Sequence, residues 1–209
     1  ALFENHDVNM TRRELGELPA THIWPWGPGR KTKLPPFEQV HGMRGAMITA
    51  VDLLRGMAHL MGWPNIEVPG MTSFHDTDYA ATGRIACEVL DQYDLVCVHV
   101  EAPDEASHQG DLSTKIASLE QIDQHVVRPI YEKLSQSERW RMLIMPDHYT
   151  SLETRTHDAT AVPFAMAGTQ VRSVLKKTFT EANAADSDLH IAFGHELMEY
   201  FLKSALKAV

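Results

Sequence analysis

Little in this chain supports a disulfide framework, a nucleic-acid surface or a membrane span. It carries two cysteines in 209 residues. Cys87 sits in a helical pattern and Cys97 in an apolar strand pattern, so both read as small buried hydrophobes, in keeping with a reducing cytoplasm. Acidic residues outnumber basic ones 28 to 19, for a net charge of −9, and no run of Lys or Arg breaks that excess. Nucleic acid and anionic membrane are therefore poor partners, whereas small anionic metabolites stay open because local charge can oppose net charge. No apolar run approaches the roughly 20 residues of a membrane span, and the N-terminus lacks a signal-peptide core. A soluble, unexported, cytoplasmic protein is expected. Neither GxGxxG nor GxxxxGK[ST] occurs, which lowers the prior for a dinucleotide or P-loop protein. Internal repeats and low-complexity segments are also missing.

What is present is a chain long enough, and at 44% hydrophobic apolar enough, for one sizeable core and a small appendage. Residues 1 to 44 are irregular, punctuated by Pro19, Pro25, Pro28, Pro35 and Pro36, with Thr11 to Leu18 as a short helix. Within them Trp24-Pro25-Trp26-Gly27-Pro28-Gly29-Arg30-Lys31 places two adjacent cations after a glycine turn. This is either a packed loop with solvated charges or an anion site with Arg30 as a planar fork. From Gly45 the pattern becomes regular. Short strands are expected at Ala46 to Ile48 and Ile66 to Val68, with a helix entered at the capping-box-like Thr49-Ala-Val-Asp52 whose apolar face carries Val51, Leu54, Met57, Ala58 and Met61, and another from about Asp78 to Leu90. The nearly continuous apolar run within Asp94 to Glu101 reads as a strand covered on both faces. Leu112, Ile116, Leu119, Ile122, Val126, Ile130 and Leu134 recur at helical spacing, with Pro129 expected to kink or restart that helix near Arg128. Strands follow at Arg141 to Pro146 and Val162 to Ala167, then a last helix from about His195 to Leu206. Strands alternating with amphipathic helices indicate an α/β fold with a mostly parallel sheet and helices on both faces.

Chemistry gathers after the strand ends, where open α/β sheets place ligands. Asp104 and His108 follow one strand, Asp147 and His148 the next, and His157 lies in a loop of about 15 residues before a third, longer than ordinary connections. Any one of these has a bland reading, Asp104 as a helix cap for example. Taken together, five oxygen and nitrogen donors without a thiolate suit Mn²⁺, Zn²⁺ or a similar divalent ion, one or two in number. Two close ions would suit phosphoryl transfer.

Trp24-Pro-Trp-Gly-Pro-Gly-Arg30, Val98-His-Val-Glu-Ala-Pro-Asp104-Glu-Ala-Ser-His108-Gln-Gly-Asp111, Pro146-Asp147-His148 and Arg155-Thr156-His157 together resemble the cofactor-independent phosphoglycerate mutases of the archaeal type, from about His22 to the C-terminus. The resemblance implies an alkaline-phosphatase-like three-layer α/β/α sandwich and two divalent metal ions, Mn²⁺, Zn²⁺ or Co²⁺. Asp104, His108 and His157 would hold one, while Asp147 and His148 would contribute to the second. It implies interconversion of 3-phosphoglycerate and 2-phosphoglycerate through a nucleophilic serine. In the family that serine and a further aspartate lie near the N-terminus, and this chain has no counterpart to them. Residues 1–22 then read as the exit from an inserted domain and 23–209 as the C-terminal part of the metal-binding domain, so the fold is expected to be incomplete at its N-terminus and this piece inactive alone. Arg30 and Lys31 are the substrate-anion candidates. Ser107 stands where the family has a glycine, and Tyr149 where a proline is common. Ser107, Ser113 and Thr150 read as loop or cap hydroxyls rather than nucleophiles. Two other readings stay open: a metal-dependent phosphatase or phosphotransferase on another small alcohol, and a non-catalytic metal-binding module.

Overall fold

A computed structural model describes residues 3–25, 27–30, 32–173 and 176–203. The chain divides into two units, Ala1–Lys33 and Leu34–Val209. The first is built on helix α1 (Asp7–Glu14). It starts four residues before the expected Thr11 because the His6 side chain accepts from the Val8 N–H, and because Asp7 in the first turn with Arg12 and Arg13 in the last suit the helix dipole. Asn9 is buried; its amide donates to the Phe3 and Ala20 carbonyls and its oxygen accepts from the Ala20 N–H, each at 2.8 Å. One side chain thus ties the returning loop to the helix.

In the second unit helix α2 (Phe37–His41) ends at Gly42 in the left-handed region. It leads into strand β1 (Gly45–Ile48), buried along its whole length. Helix α3 (Asp52–Met61) and helix α4 (Tyr79–Val89) follow, the latter capped by the Asp78 carboxylate on the Ala81 N–H. Strand β2 (Leu95–Val98) then lies parallel to β1 in the register Gly45↔Leu95 to Ile48↔Val98. This helical crossover between parallel neighbours is the unit expected from the alternating pattern. The strand expected at Ile66 to Val68 is reduced to one parallel bridge, Met47↔Asn65. Successive β2 residues face opposite sides. Val96 and Val98 pack with Ile48, Val68 and Ala86, while Leu95 packs toward Phe37, Met47, Ala58 and Trp63. Cys97 is exposed, so the face on which Leu95 packs is open at Cys97, which is not the buried hydrophobe expected.

Helix α5 (Ala102–Gln109) follows β2, with Pro103 in its first turn, and α6 (Leu112–Ile122) begins at Asp111, whose carboxylate accepts the Thr114 N–H. One turn of π-helix, Asp123–Val127, joins α6 to helix α7 (Arg128–Leu134). Pro129 has no N–H to return to the His125 carbonyl four residues earlier, which is why the ladder slips there. That carbonyl lies against Gly83 of α4, where a β-carbon would come within 1.9 Å of it. The apolar stripe divides at this point. Val126 is buried and packs with Tyr79 and Ala102, with Ile122 and Ile130 partly buried against them. Leu112, Ile116 and Leu119 are exposed, against expectation, because α6 packs mainly on α5 rather than on the strands.

Strand β3 (Arg141–Ile144) precedes the long loop, which contains a short antiparallel ribbon of strands β4 (Tyr149–Thr150) and β5 (His157–Asp158). Strand β6 (Ala165–Gly168) pairs with β3 antiparallel, Arg141↔Gly168 to Ile144↔Ala165, a pairing the sequence pattern does not distinguish from a parallel one. Helix α8 (Glu181–Ala185), a 3-10 turn at Gly194–Glu196 and helix α9 (Leu197–Lys203) end the described chain. The expected continuation of α9 to Leu206 lies outside the described residues. No helix among them is long and apolar enough to cross a membrane.

Candidate metal centre

Four of the five expected donors converge, and the elements that carry them explain how. α5 begins at Ala102, so Asp104 lies in its first turn rather than capping it, and His108 lies one turn further on the same face. Asp104 Oδ2 stands 3.2 Å from His108 Nε2. The β4–β5 ribbon brings His157 to the same place, with its Nε2 3.5 Å from Asp104 Oδ1 and 3.1 Å from His108 Nε2. His148, just before β4, stacks on His157 with ring centroids 3.8 Å apart. Asp104, His148 and His157 each place a donor atom within 4.8 Å of one another. His148 therefore adjoins the Asp104 group as well as its sequence neighbour Asp147, whose Oδ2 is 3.4 Å from His148 Nε2.

Asp147 faces a second histidine that pattern reading passed over. His99, the residue after β2, sets Nε2 3.6 Å from Asp147 Oδ2 and 3.3 Å from Glu101 Oε2, while its Nδ1 lies 3.2 Å from the Thr49 hydroxyl. Its hydrogen bond is the main reason Asp147 is held at a pKa of about 2. Burial pushes the Glu101 carboxyl up. His99 sat in view inside the apolar strand run; the available signal was its place at the strand end, two residues before Glu101.

Two further contacts brace the group. The Thr150 hydroxyl, buried in β4, donates to Asp104 Oδ1 and lies 3.2 Å from His148 Nδ1, so this hydroxyl spans the two donor pairs. The Arg155 carbonyl accepts from His108 Nδ1 at 2.9 Å, which pushes the His108 pKa up. Of the other hydroxyls, Ser107 is fully buried and donates to the Pro103 carbonyl, and Ser113 donates to Asp111. Both have the helix-internal and capping roles expected of them.

The donor chemistry fits a divalent cation. With its Nδ1–H engaged by a carbonyl, neutral His108 presents a lone pair at Nε2, directed at His157 Nε2 and the Asp104 carboxylate. Lone pairs and negative charge converging on one small volume need a proton or a metal between them. Among the remaining expected residues, Arg30 is exposed in the first unit, and Lys31 lies outside the described residues.

Comparison with known proteins also leads to a metal-dependent family. A family model described as the metalloenzyme superfamily matches residues 1–203. The chain is 43% identical over 202 residues to a 2,3-bisphosphoglycerate-independent phosphoglycerate mutase of Methanothrix thermoacetophila, covering 96% of this chain and 52% of that protein. It is 42% identical over 206 residues to such an enzyme of Methanothermobacter thermautotrophicus, covering 99% and 51%. The chain thus spans about half the length of the curated relatives it matches. Among solved structures it resembles the PH0037 protein from Pyrococcus horikoshii, with a TM-score of 0.82 at 26% identity over 100% of this chain and 54% of that one. It also shares its fold with a cofactor-independent phosphoglycerate mutase from Thermoplasma acidophilum, with a TM-score of 0.53 at 19% identity over 98% and 48%. The α/β, alkaline-phosphatase-like architecture expected from the sequence is borne out by these likenesses. By the match over residues 1–203, the chain belongs to the metalloenzyme superfamily.

Proposed function

We propose that the full-length protein, of whose family length this chain spans about half, interconverts 3-phosphoglycerate and 2-phosphoglycerate by metal-dependent phosphoryl transfer, and that Asp104, His108 and His157 hold one divalent ion while Asp147 and His148 contribute to a second. The observation that carries this reading is the Asp104, His108, His148 and His157 cluster, with Asp147 beside it, in a chain over 40% identical to enzymes of that name. Bound divalent ions would polarise phosphate oxygens and neutralise the charge of the transferring group. The chain's own side chains act before any transfer. Asp104 and Asp147 supply the negative charge that retains cations, and a carboxylate held at about 2 stays ionised throughout the physiological range. The imidazoles supply neutral donors of fixed direction. Thr150 keeps Asp104 and His148 in mutual register, and its hydroxyl is already engaged, which argues against a nucleophilic role. We assign the nucleophile to the part of the family's length that this chain does not span. Arg30 and Lys31 are proposed to meet the substrate's anionic groups; a planar fork is suited to carboxylate or phosphate. Mn²⁺, Zn²⁺ and Co²⁺ all accept this mixture of oxygen and nitrogen donors. A cytoplasmic location and residues 1–22 as the exit of an inserted domain belong to the same proposal.

The test is conversion of 3-phosphoglycerate to 2-phosphoglycerate by the intact, metal-loaded protein without added bisphosphoglycerate. Interconversion without release of free phosphate is the expected result. Phosphate release without isomerisation would reassign the protein as a phosphatase, and neither product would refute the reading.

A further inference from the structure

We infer that Arg155 is a positioning residue, whose left-handed backbone carbonyl holds His108 in its Nδ1–H tautomer and so directs His108 Nε2 toward Asp104 and His157. The inference rests on the metal-site reading above and adds to it the element that orients the donors.

Arg155 has φ +54°, a conformation uncommon for a residue with a β-carbon. Such a conformation persists when its surroundings over-determine it, and here they do. The Arg155 N–H donates to the Ser151 carbonyl at 2.8 Å, and the Ser151 N–H donates to the Thr156 carbonyl at 3.2 Å. The Ser151 hydroxyl accepts the Glu153 and Thr154 N–H groups at 3.2 Å each. These bonds close residues 151–156 into a tight loop between β4 and β5. The side chain makes a separate approach to α5. It lies over Gly110 at the C-terminal end of α5, where a β-carbon would stand 2.8 Å from Arg155 Nε and 2.9 Å from Nη2. Gly110 is left-handed as well, at φ +73°. It ends the helix and leaves room for the guanidinium, whose charge suits the negative end of a helix.

The loop and α5 thus meet at two places, where the guanidinium lies over Gly110 and at the 2.9 Å contact of the carbonyl with His108 Nδ1. Two residues beyond Arg155, His157 meets His108. With the opposite tautomer, the His108 Nδ1 lone pair would face the carbonyl oxygen at that distance, which is repulsive. The other ring nitrogen of a metal-bound histidine is usually fixed in this way, and loss of such a partner typically weakens metal binding 10–100-fold.

The test uses the intact, metal-free protein and long-range ¹H–¹⁵N correlation of the His108 ring at a pH of about 8.5, well above the ordinary imidazole range. Mn²⁺ and Zn²⁺ titrations of the same samples supply the second readout. Expected are an Nδ1–H signature in the parent and in Arg155→Gly, which keeps the left-handed backbone and its carbonyl. Loss of that signature is expected in Arg155→Val, a β-branched residue ill suited to positive φ, together with about 10–100-fold weaker metal binding. A circular-dichroism and urea comparison identifies a variant that fails to fold, in which case the parent and Arg155→Gly tautomers decide. An Nε2–H tautomer in the parent, or an unchanged tautomer and affinity in folded Arg155→Val, overturns the inference. A parent that shows the Nδ1–H tautomer but binds neither ion would sink the metal-site reading while leaving the Arg155 role intact.

Discussion

Replacing Gly83 by Ala sets two effects of opposite sign against each other. In a helix interior alanine is favoured over glycine by about 1 kcal/mol, and Gly83 lies inside α4. The new β-carbon would stand 1.9 Å from the His125 carbonyl oxygen and 3.2 Å from Val126 Cα, both backbone. Ordinary carbon–oxygen contacts are about 3.3 Å or longer, so α4 and the π-turn must separate by more than about 1 Å. Neither side can yield by rotating a side chain, and the shift would loosen Val126 from Tyr79 and Ala102, which share one core cluster. Overpacking of this kind costs about 1–3 kcal/mol. Because backbone meets backbone, the steric cost should lie toward the upper end and outweigh propensity, leaving Gly83→Ala less stable than the parent by up to about 2 kcal/mol after the propensity gain. Urea unfolding with unchanged slope reads the difference as a lower midpoint. A variant more stable than the parent by about 1 kcal/mol, as propensity alone requires, would refute the close approach of α4 to the π-turn.

Thr150→Val keeps the shape of the side chain and removes the hydroxyl on Asp104 and His148. We expect a loss of about 1.5–3 kcal/mol of stability in the metal-free protein and about 10–100-fold weaker Mn²⁺ binding. Thr150→Ser should recover most of both, and equal behaviour of the two variants in calorimetric titration would contradict the bridging role. Asp111 caps α6 with its pKa lowered to about 2, first by the Thr114 N–H. Because the folded value lies below the unfolded one, its stabilisation is complete above the ordinary carboxylate range and is lost as pH falls toward about 2. The gap in melting temperature between parent and Asp111→Ala should accordingly be constant near neutrality and shrink in acid; a gap unchanged down to about pH 2 would contradict the capping assignment.

The α/β alternation, the β1 and β2 strands and the break at Pro129 were legible because each depends on local pattern: apolar runs, helical spacing, and a residue without an N–H. The clustering of Asp104, His108, His148 and His157 was legible for a different reason, since strand ends in such folds share one edge and the donors follow strand ends. What stayed hidden depends on neighbours distant in sequence. Leu112, Ile116 and Leu119 have the spacing of a core face, yet their exposure follows from where α6 packs. Cys97 sits in an apolar run but at a point where the face it shares with Leu95 is open. The antiparallel pairing of β6 with β3 leaves no local mark. His99 was passed over and Thr150 was read only as a loop or cap hydroxyl, because a histidine in an apolar strand and a threonine in a loop each have a common structural role; their partners, Asp147 and Asp104, are 48 and 46 residues away. Arg155 carried no signal of its left-handed backbone, a conformation sequence ordinarily announces with glycine or asparagine.

Metal binding by the intact protein tests the central claim most directly. Purified protein stripped with chelator and titrated with Mn²⁺ or Zn²⁺ should take up two ions per chain. Asp104→Asn and His157→Ala should each abolish one of them while leaving circular dichroism unchanged. Wild-type stoichiometry and affinity in both folded variants, or no uptake by the parent, would contradict the assignment of this cluster as a metal centre.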